Sequence, residues 1–351
     1  MGHYRLETRG ALAAGLYPGW DRGGEPQLTL VCKTGFAFDD RGLLRPLEPP
    51  EPVVTADEYA GDPAASSLVA ADETVPFKDG AEFYLFGTAH PPPGARVMAV
   101  SVTLAPPGGP PVSKTLRVCG PRRWERRLGA DLPSAPEPLE PLPLRYEFAF
   151  GGEDPDTGEP HPANPAGCGI NGRGWRQARG ALPRIERGPR FMERPGHRPP
   201  PAGFGPLPPF WEPRAAAAGT PRAHPAEAGG CPVNDDSEPD LFNCAPPDQR
   251  LPAPFSGGET LTLEGFFADV PRVRLVLPAF APRATVLERG GARRLAPVTD
   301  TLVIDTDARR IHLVARAGLP WDPVSPGAGY VIAEAGEVQP APAQHGEVAL
   351  P

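Results

Sequence analysis

The sequence predicts a mainly β protein: β-sandwich-like antiparallel sheets, a long ordered Pro/Gly-rich loop insertion and few short helices. Three observations carry this expectation. Period-2 alternation recurs along the chain, as at 96–104, where Met98, Val100, Val102 and Leu104 fall in register. Proline and glycine are abundant, 53 and 41 of 351 residues, yet they punctuate apolar runs instead of forming tracts of their own. Helical periodicity, heptads and internal repeats are not found.

Residues 1–20 read as an N-terminal lead segment. A β region follows at 21–150, with alternating runs at 28–36, 82–90, 96–104, 114–119 and 142–150. In the last of these, Leu142, Leu144, Tyr146, Phe148 and Phe150 share one face and Arg145 and Glu147 the other, so a strand buried on one side is expected. A turn of helix is expected at 57–59. From 151 to 251 no periodic segment appears, and a structureless stretch of about 100 residues belongs either to a disordered tract or to loops wrapped on a scaffold. Trp175, Phe191, Phe204, Phe210, Trp211 and Phe242 supply anchors that a disordered tract lacks, which favours an ordered insertion packed on the sheets. Within it a short helix is expected at 212–218, stopped by Gly219. A second β region, 252–335, has runs at 260–267, 272–277, 301–306 and 310–316, and a Pro-rich tail closes the chain at 336–351.

The formal net charge is −8, which gives no general attraction to polyanions, so nucleic-acid and anionic-membrane partners are not expected. The run Arg122, Arg123, Arg126, Arg127 reads as a solvated strand and loop. Only Lys33, Lys78 and Lys114 are lysines. Five scattered cysteines without a CxxC pair fit a reducing compartment. The first 20 residues hold no apolar core of signal-peptide length, and no stretch approaches the roughly 20 apolar residues of a membrane helix. A cytoplasmic location is the expectation.

The chemistry-bearing groups are weak. Glu153, Asp154, Asp156 and Glu159 look like part of a calcium loop, but Pro155 and Pro160 interrupt the series and a turn accounts for it better. Cys168 near His161 suggests a nucleophile pair without an orienting third group. His161, His197, His224, Cys231 and Cys244 match no zinc-ligand spacing. There is no GxxxxGK[ST] and no G-x-S-x-G. No catalytic, metal or cofactor-binding residue is predicted, and an enzyme is not expected.

Several unusual strings remain: Tyr146-Glu147-Phe148-Ala149-Phe150-Gly151-Gly152, Asn164-Pro165-Ala166-Gly167, Gly203-Phe204-Gly205-Pro206, Trp211-Glu212-Pro213-Arg214 and Phe242-Asn243-Cys244-Ala245-Pro246-Pro247-Asp248-Gln249. In this order they resemble a bacterial domain-of-unknown-function family found with type VI secretion loci. With Lys33, Lys78, Trp124 and the 300–316 segment, the resemblance covers roughly residues 20 to 320. It implies an adaptor or chaperone that holds a toxin carrying a PAAR-type spike-tip domain. The partner is then a protein, and no cofactor is implied. A structural component secreted with the spike, or a metal-assisted hydrolase using His161, stays open as an alternative.

The strings admit two readings each. Gly151-Gly152 releases the chain from a strand through backbone angles closed to other residues, or presents a strand edge to a partner. Pro246-Pro247-Asp248-Gln249 is expected to be extended and rigid, as a loop brace or a recognition surface. Trp211 and Arg214, three apart, are either interface anchors or buried packing. The divergent 220–236 stretch is a candidate for partner choice.

Overall fold

A computed structural model of the chain describes residues 4–172, 180–220, 231, 233–234, 236–323 and 328–336. Trp175, His224, most of the 220–236 stretch and all of the Pro-rich tail but Gly336 lie outside them. The architecture is mainly β. The largest sheet has seven strands: Arg250–Leu251, Ala81–Phe86, Val298–Asp305, Arg310–Pro320, Pro26–Phe38 and Ala13–Trp20 in that order, with Leu44–Pro46 also paired to Pro26–Phe38. Its ladders are antiparallel except between Ala81–Phe86 and Val298–Asp305. An antiparallel five-stranded sheet orders Ile185–Glu186, Val112–Cys119, Val97–Ala105, Thr260–Glu264 and Arg272–Val276. A four-stranded sheet joins both ends of the chain: Tyr4–Arg9 runs parallel to Gly329–Glu334, followed by Arg283–Glu288 and Gly291–Leu295. The first 20 residues thus supply two strands. No helix among the described residues is long and apolar enough to cross a membrane.

Alternation explains how the sheets meet. Val100, Val102 and Leu104 are fully buried and lie beside Leu116, Leu261 and Leu263 on the five-stranded sheet. Opposite them stand Leu30, Cys32, Phe36, Phe83, Leu85, Leu302 and Ile304 of the seven-stranded sheet, all in one apolar core. Each such aliphatic side chain contributes about 1.5–3 kcal/mol by leaving water.

The other face of the seven-stranded sheet is also largely buried, and beside Val31, Tyr84 and Val314 it carries a layer of charged side chains. Register places Lys33 beside Val314, Val314 beside Thr301, and Thr301 beside Glu82, with Arg316 and His312 one step away on the same side. Such charges stay inside only if paired. Lys33 Nζ lies 2.9 Å from Glu73 Oε1 and donates to Pro52 O at 3.2 Å. Lys78 pairs with Glu82, and Arg316 with Asp300. Arg316 also donates to the carbonyls of Val75 (3.0 Å) and Glu73 (2.9 Å). The segment between Pro26–Phe38 and Ala81–Phe86 is therefore held on this face by ion pairs and hydrogen bonds as well as by the apolar contacts of Leu68 and Ala71. All three lysines of the chain are interior, and Lys114 faces the core at the insertion.

His312 Nε2 lies 2.9 Å from Glu51 Oε2 within this layer. Burial, helped by the Lys33 ammonium and Arg310, pushes the imidazole down to about 4, against the upward pull of Glu51. Its folded value lies below the unfolded value of about 6.5, so the neutral ring favours the fold. The resulting stability is complete above about pH 6.5 and is lost as pH falls towards 4, at most about 3 kcal/mol. Urea unfolding between neutral and mildly acid pH should show this loss, and His312→Gln should flatten it. An unchanged pH slope in that variant would remove His312 from the account.

Several expected elements are corrected. The 142–150 run is not one strand: Leu142–Pro143 pairs briefly with Thr88–Ala89, Tyr146–Phe148 is a 3-10 turn, and Phe150–Gly151 pairs with Cys168–Gly169. Pro141 and Pro143 lack the N–H that a continuous ladder needs. Residues 57–59 are not helical, since Glu58–Tyr59 pairs with Leu68–Ala70. The 260–267 strand ends at Glu264, where Gly265 takes φ +83°. Pro247–Gln249 is a 3-10 turn instead of an extended segment, because the fixed φ of proline equally suits the first position of a helical turn. The short helix is present as Arg214–Ala217, with Gly219 at φ +70° beyond it. Arg122 departs from the solvated reading, being buried 2.9 Å from Glu186.

A motif junction beside a candidate partner-binding cleft

The strings that stood out in the sequence meet in space, mostly indoors. Gln249 is the hub. Its side chain is fully buried; Nε2 donates to Phe83 O and Phe204 O, both at 2.9 Å, while Oε1 accepts from Lys114 Nζ at 2.8 Å. One amide thus ties together the seven-stranded sheet, the five-stranded sheet and the insertion. Lys114 also lies 3.0 Å from Asp248 Oδ1, and Asp248 pairs with Arg187 at the surface. Burial pulls the Lys114 ammonium down to about 8 in spite of Asp248. Pro247 is exposed and Pro246 is buried.

A few residues earlier, the chain is held by Glu82. Its carboxylate accepts from the backbone N–H of Cys244 (3.2 Å) and Ala245 (3.0 Å) besides Lys78. Burial pushes this carboxyl up, but Lys78 and the two amides outweigh it and hold it at about 2. Asn243 exchanges hydrogen bonds with the Asp79 backbone at 2.9 and 3.2 Å, and Phe242 meets Phe77 edge-to-face with centroids 4.9 Å apart.

Trp211 is completely buried and packs edge-on to Tyr146, centroids 5.6 Å apart, with Leu207. Arg214 is buried as well and donates to Leu207 O at 2.8 Å. Of the two readings of this pair, the structure selects packing. Tyr146 OH donates to Gly205 O at 3.1 Å, and Phe204 and Pro206 are buried on either side. Asn164 Nδ2 donates to Tyr146 O (2.9 Å) and Phe150 O (3.0 Å), with Pro165 half-buried after it. Gly152 has φ +93°, and a Cβ there would stand 2.5 Å from Gly167 O; at Gly151 it would stand 2.1 Å from Asn164 O. These two glycines are needed for the close approach itself.

Glu147 faces outward from this junction. Ser67 donates to it twice, from its N–H at 2.9 Å and its hydroxyl at 2.7 Å. Beside that contact opens a cleft of about 260 Å³, lined among others by Val69, Phe86, Arg145, Tyr146, Gly205 and Asp307. Leu68, Val69, Phe86 and Leu144 give it an apolar part, the exposed Arg145 a cation, and Asp305 and Asp307 carboxylates. Burial raises the Asp305 carboxyl, while Asp307 accepts from Thr88 Oγ1 at 3.0 Å. The Glu58–Tyr59/Leu68–Ala70 hairpin carries the exposed Val69, and the exposed Phe210 stacks on Tyr59 with centroids 6.3 Å apart. A ridge of apolar side chains with both signs of charge beside it can receive a polypeptide segment.

Sequence reasoning missed Val69, Arg145, Asp305 and Asp307 as one site, whose significance lies in being brought together from three segments. Phe210 was visible as an aromatic but carried no sign of its exposure. The acidic series at 153–159 forms a turn, with Asp154 N donating to Glu159 O at 2.9 Å. Cys168 and His161 are both half-buried, and burial lowers the His161 imidazole and raises the Cys168 thiol to about 11. No group of three or more His, Cys, Asp or Glu among the described residues is arranged to hold a metal.

No curated protein and no solved structure matches the chain. A family profile does, over residues 23–316, a span that includes every string of the junction. The chain belongs to the bacterial family described as "Uncharacterized protein conserved in bacteria (DUF2169)".

Proposed function

We propose that this chain is an adaptor-chaperone that binds a PAAR-tipped type VI secretion effector and assists its loading onto the secretion spike. The secretion link comes from the sequence resemblance described above. The observation that supports a binding role is the division of labour at the junction. The motif residues brace the insertion against the sheets, and the braced surface presents a cleft of mixed apolar and charged lining, with the exposed Phe210 stacked on the hairpin that carries Val69. Protein recognition uses such a rigid, partly apolar surface with charges at its margin. The segment that fits is extended, with an apolar side chain for the apolar part and a basic one for Asp305 and Asp307.

Co-purification with the effector encoded in the adjacent gene tests the reading. Val69→Asp combined with Phe210→Asp is expected to weaken that complex about tenfold or more, since desolvated anchors dominate such interfaces. Both positions are exposed, so the fold should be retained. An effector that stays soluble and is secreted normally without this protein sinks the proposal.

A further inference from the structure

The Trp124–Arg127 and Ala130–Pro133 strands form an antiparallel hairpin apart from the three large sheets. We propose that it is a docking finger whose Leu128 enters an apolar socket rimmed by carboxylates on the protein partner. This rests on the adaptor reading and adds a second contact to the cleft.

The tip itself motivates the inference. Arg127 pairs with Ala130 across a two-residue loop, Leu128-Gly129, with φ values of +47° and +82°. Loops of this kind favour Asn-Gly or Asp-Gly because both central residues need positive φ. Glycine follows that rule and leucine breaks it. Leu128 is also fully exposed, at 109% of its reference area, so no packing within the fold offsets its backbone conformation. Local folding rules would place asparagine here; an apolar residue held outward against them points to a contact outside the chain.

The finger is anchored at its base. Trp124 packs at its base on the cluster of Phe150, Leu182 and Met192. Ser134 N donates to Arg123 O at 2.8 Å, Arg126 lies 3.2 Å from Asp131, and Arg127 pairs with Glu125. Charge then selects the partner. Near the tip the side chains of Arg126 and Arg127 are 48 and 59% exposed, whereas those of Glu125 and Asp131 are 28 and 9% exposed, so the charge presented beside Leu128 is cationic, while Arg123 at the base faces the exposed Glu137 at 3.5 Å. The chain as a whole carries −8, which opposes approach to an anionic membrane or nucleic acid. A localised acidic rim on a protein, with an apolar centre for Leu128 and the part-exposed Leu132, satisfies both conditions.

The test uses the full chain and the purified effector from the adjacent gene, with affinity followed by calorimetry at low and high salt. Leu128→Asp is expected to weaken binding about tenfold or more. Leu128→Asn is expected to weaken it similarly while keeping or raising Tm, because asparagine accepts the turn conformation. Arg126→Glu with Arg127→Glu should weaken binding at low salt and reverse the salt dependence of the affinity. Wild-type binding that these variants leave within about twofold overturns the finger and spares the adaptor reading. A wild-type chain that does not bind the effector overturns both. Binding to phosphatidylserine vesicles that depends on Leu128, with none to the effector, overturns the protein socket in favour of a membrane.

Discussion

Glu82→Ala is expected to cost about 3–5 kcal/mol of stability, the range for removing one partner of a buried ion pair. The substitution leaves the Lys78 ammonium buried without its carboxylate and strips the Cys244 and Ala245 amides of their acceptor. Urea unfolding measures the global loss. Hydrogen exchange at Cys244 and Ala245 reports the local one, since these amides anchor the strand-like approach to Gln249. The double variant Lys78→Met, Glu82→Leu should recover much of the loss, because it removes the stranded charge together with its partner. A Glu82→Ala protein within about 1 kcal/mol of wild type would contradict the pairing. The same carboxyl gives an acid limb. Its folded value of about 2 lies below the unfolded value, so its contribution is present above about pH 4.5 and fades as pH falls towards 2.

Trp211→Ala is expected to cost a similar amount, about 3–5 kcal/mol, as a large aromatic deleted from a site that cannot collapse around the gap. Tyr146 loses its edge-on partner, and the carbonyl of Leu207 keeps its bond to Arg214 only if the surrounding loop holds its shape. The Trp211 Nε1 has no acceptor among the described residues, so Trp211→Phe forfeits no hydrogen bond and should cost distinctly less. Because Tyr146 and Gly205 also line the cleft, Trp211→Ala should weaken effector binding in proportion to the unfolded or loosened fraction. Equal stability of the alanine and phenylalanine variants would show that the cluster is not load-sharing.

The strand positions were legible because alternation is a local property. Runs at 28–36, 114–119 and 310–316 fall within strands, and those at 96–104 and 272–277 overrun theirs by one residue. The same rule misread 142–150, where side chains alternate in sequence but prolines interrupt the ladder, so that Tyr146 and Phe150 enter two different clusters. The importance of the Tyr146, Asn164, Phe204, Trp211 and Gln249 strings was visible as unusual composition. Their role was not, because a Trp beside an Arg reads alike on a surface or in a core.

What the sequence by itself determined is the mainly β class, most of the strand segments and the family resemblance. Each depends on neighbours a few residues apart or on an ordered series of short strings. Only the tertiary structure decided that both faces of the seven-stranded sheet are largely buried, that the three lysines lie inside, and which apolar residues are left outside at the cleft and at Leu128. The physical reason is distance along the chain. Gln249 meets Phe83, Lys114 and Phe204, and Glu82 meets Cys244, across separations that no local pattern records. Burial and charge pairing are set by those meetings.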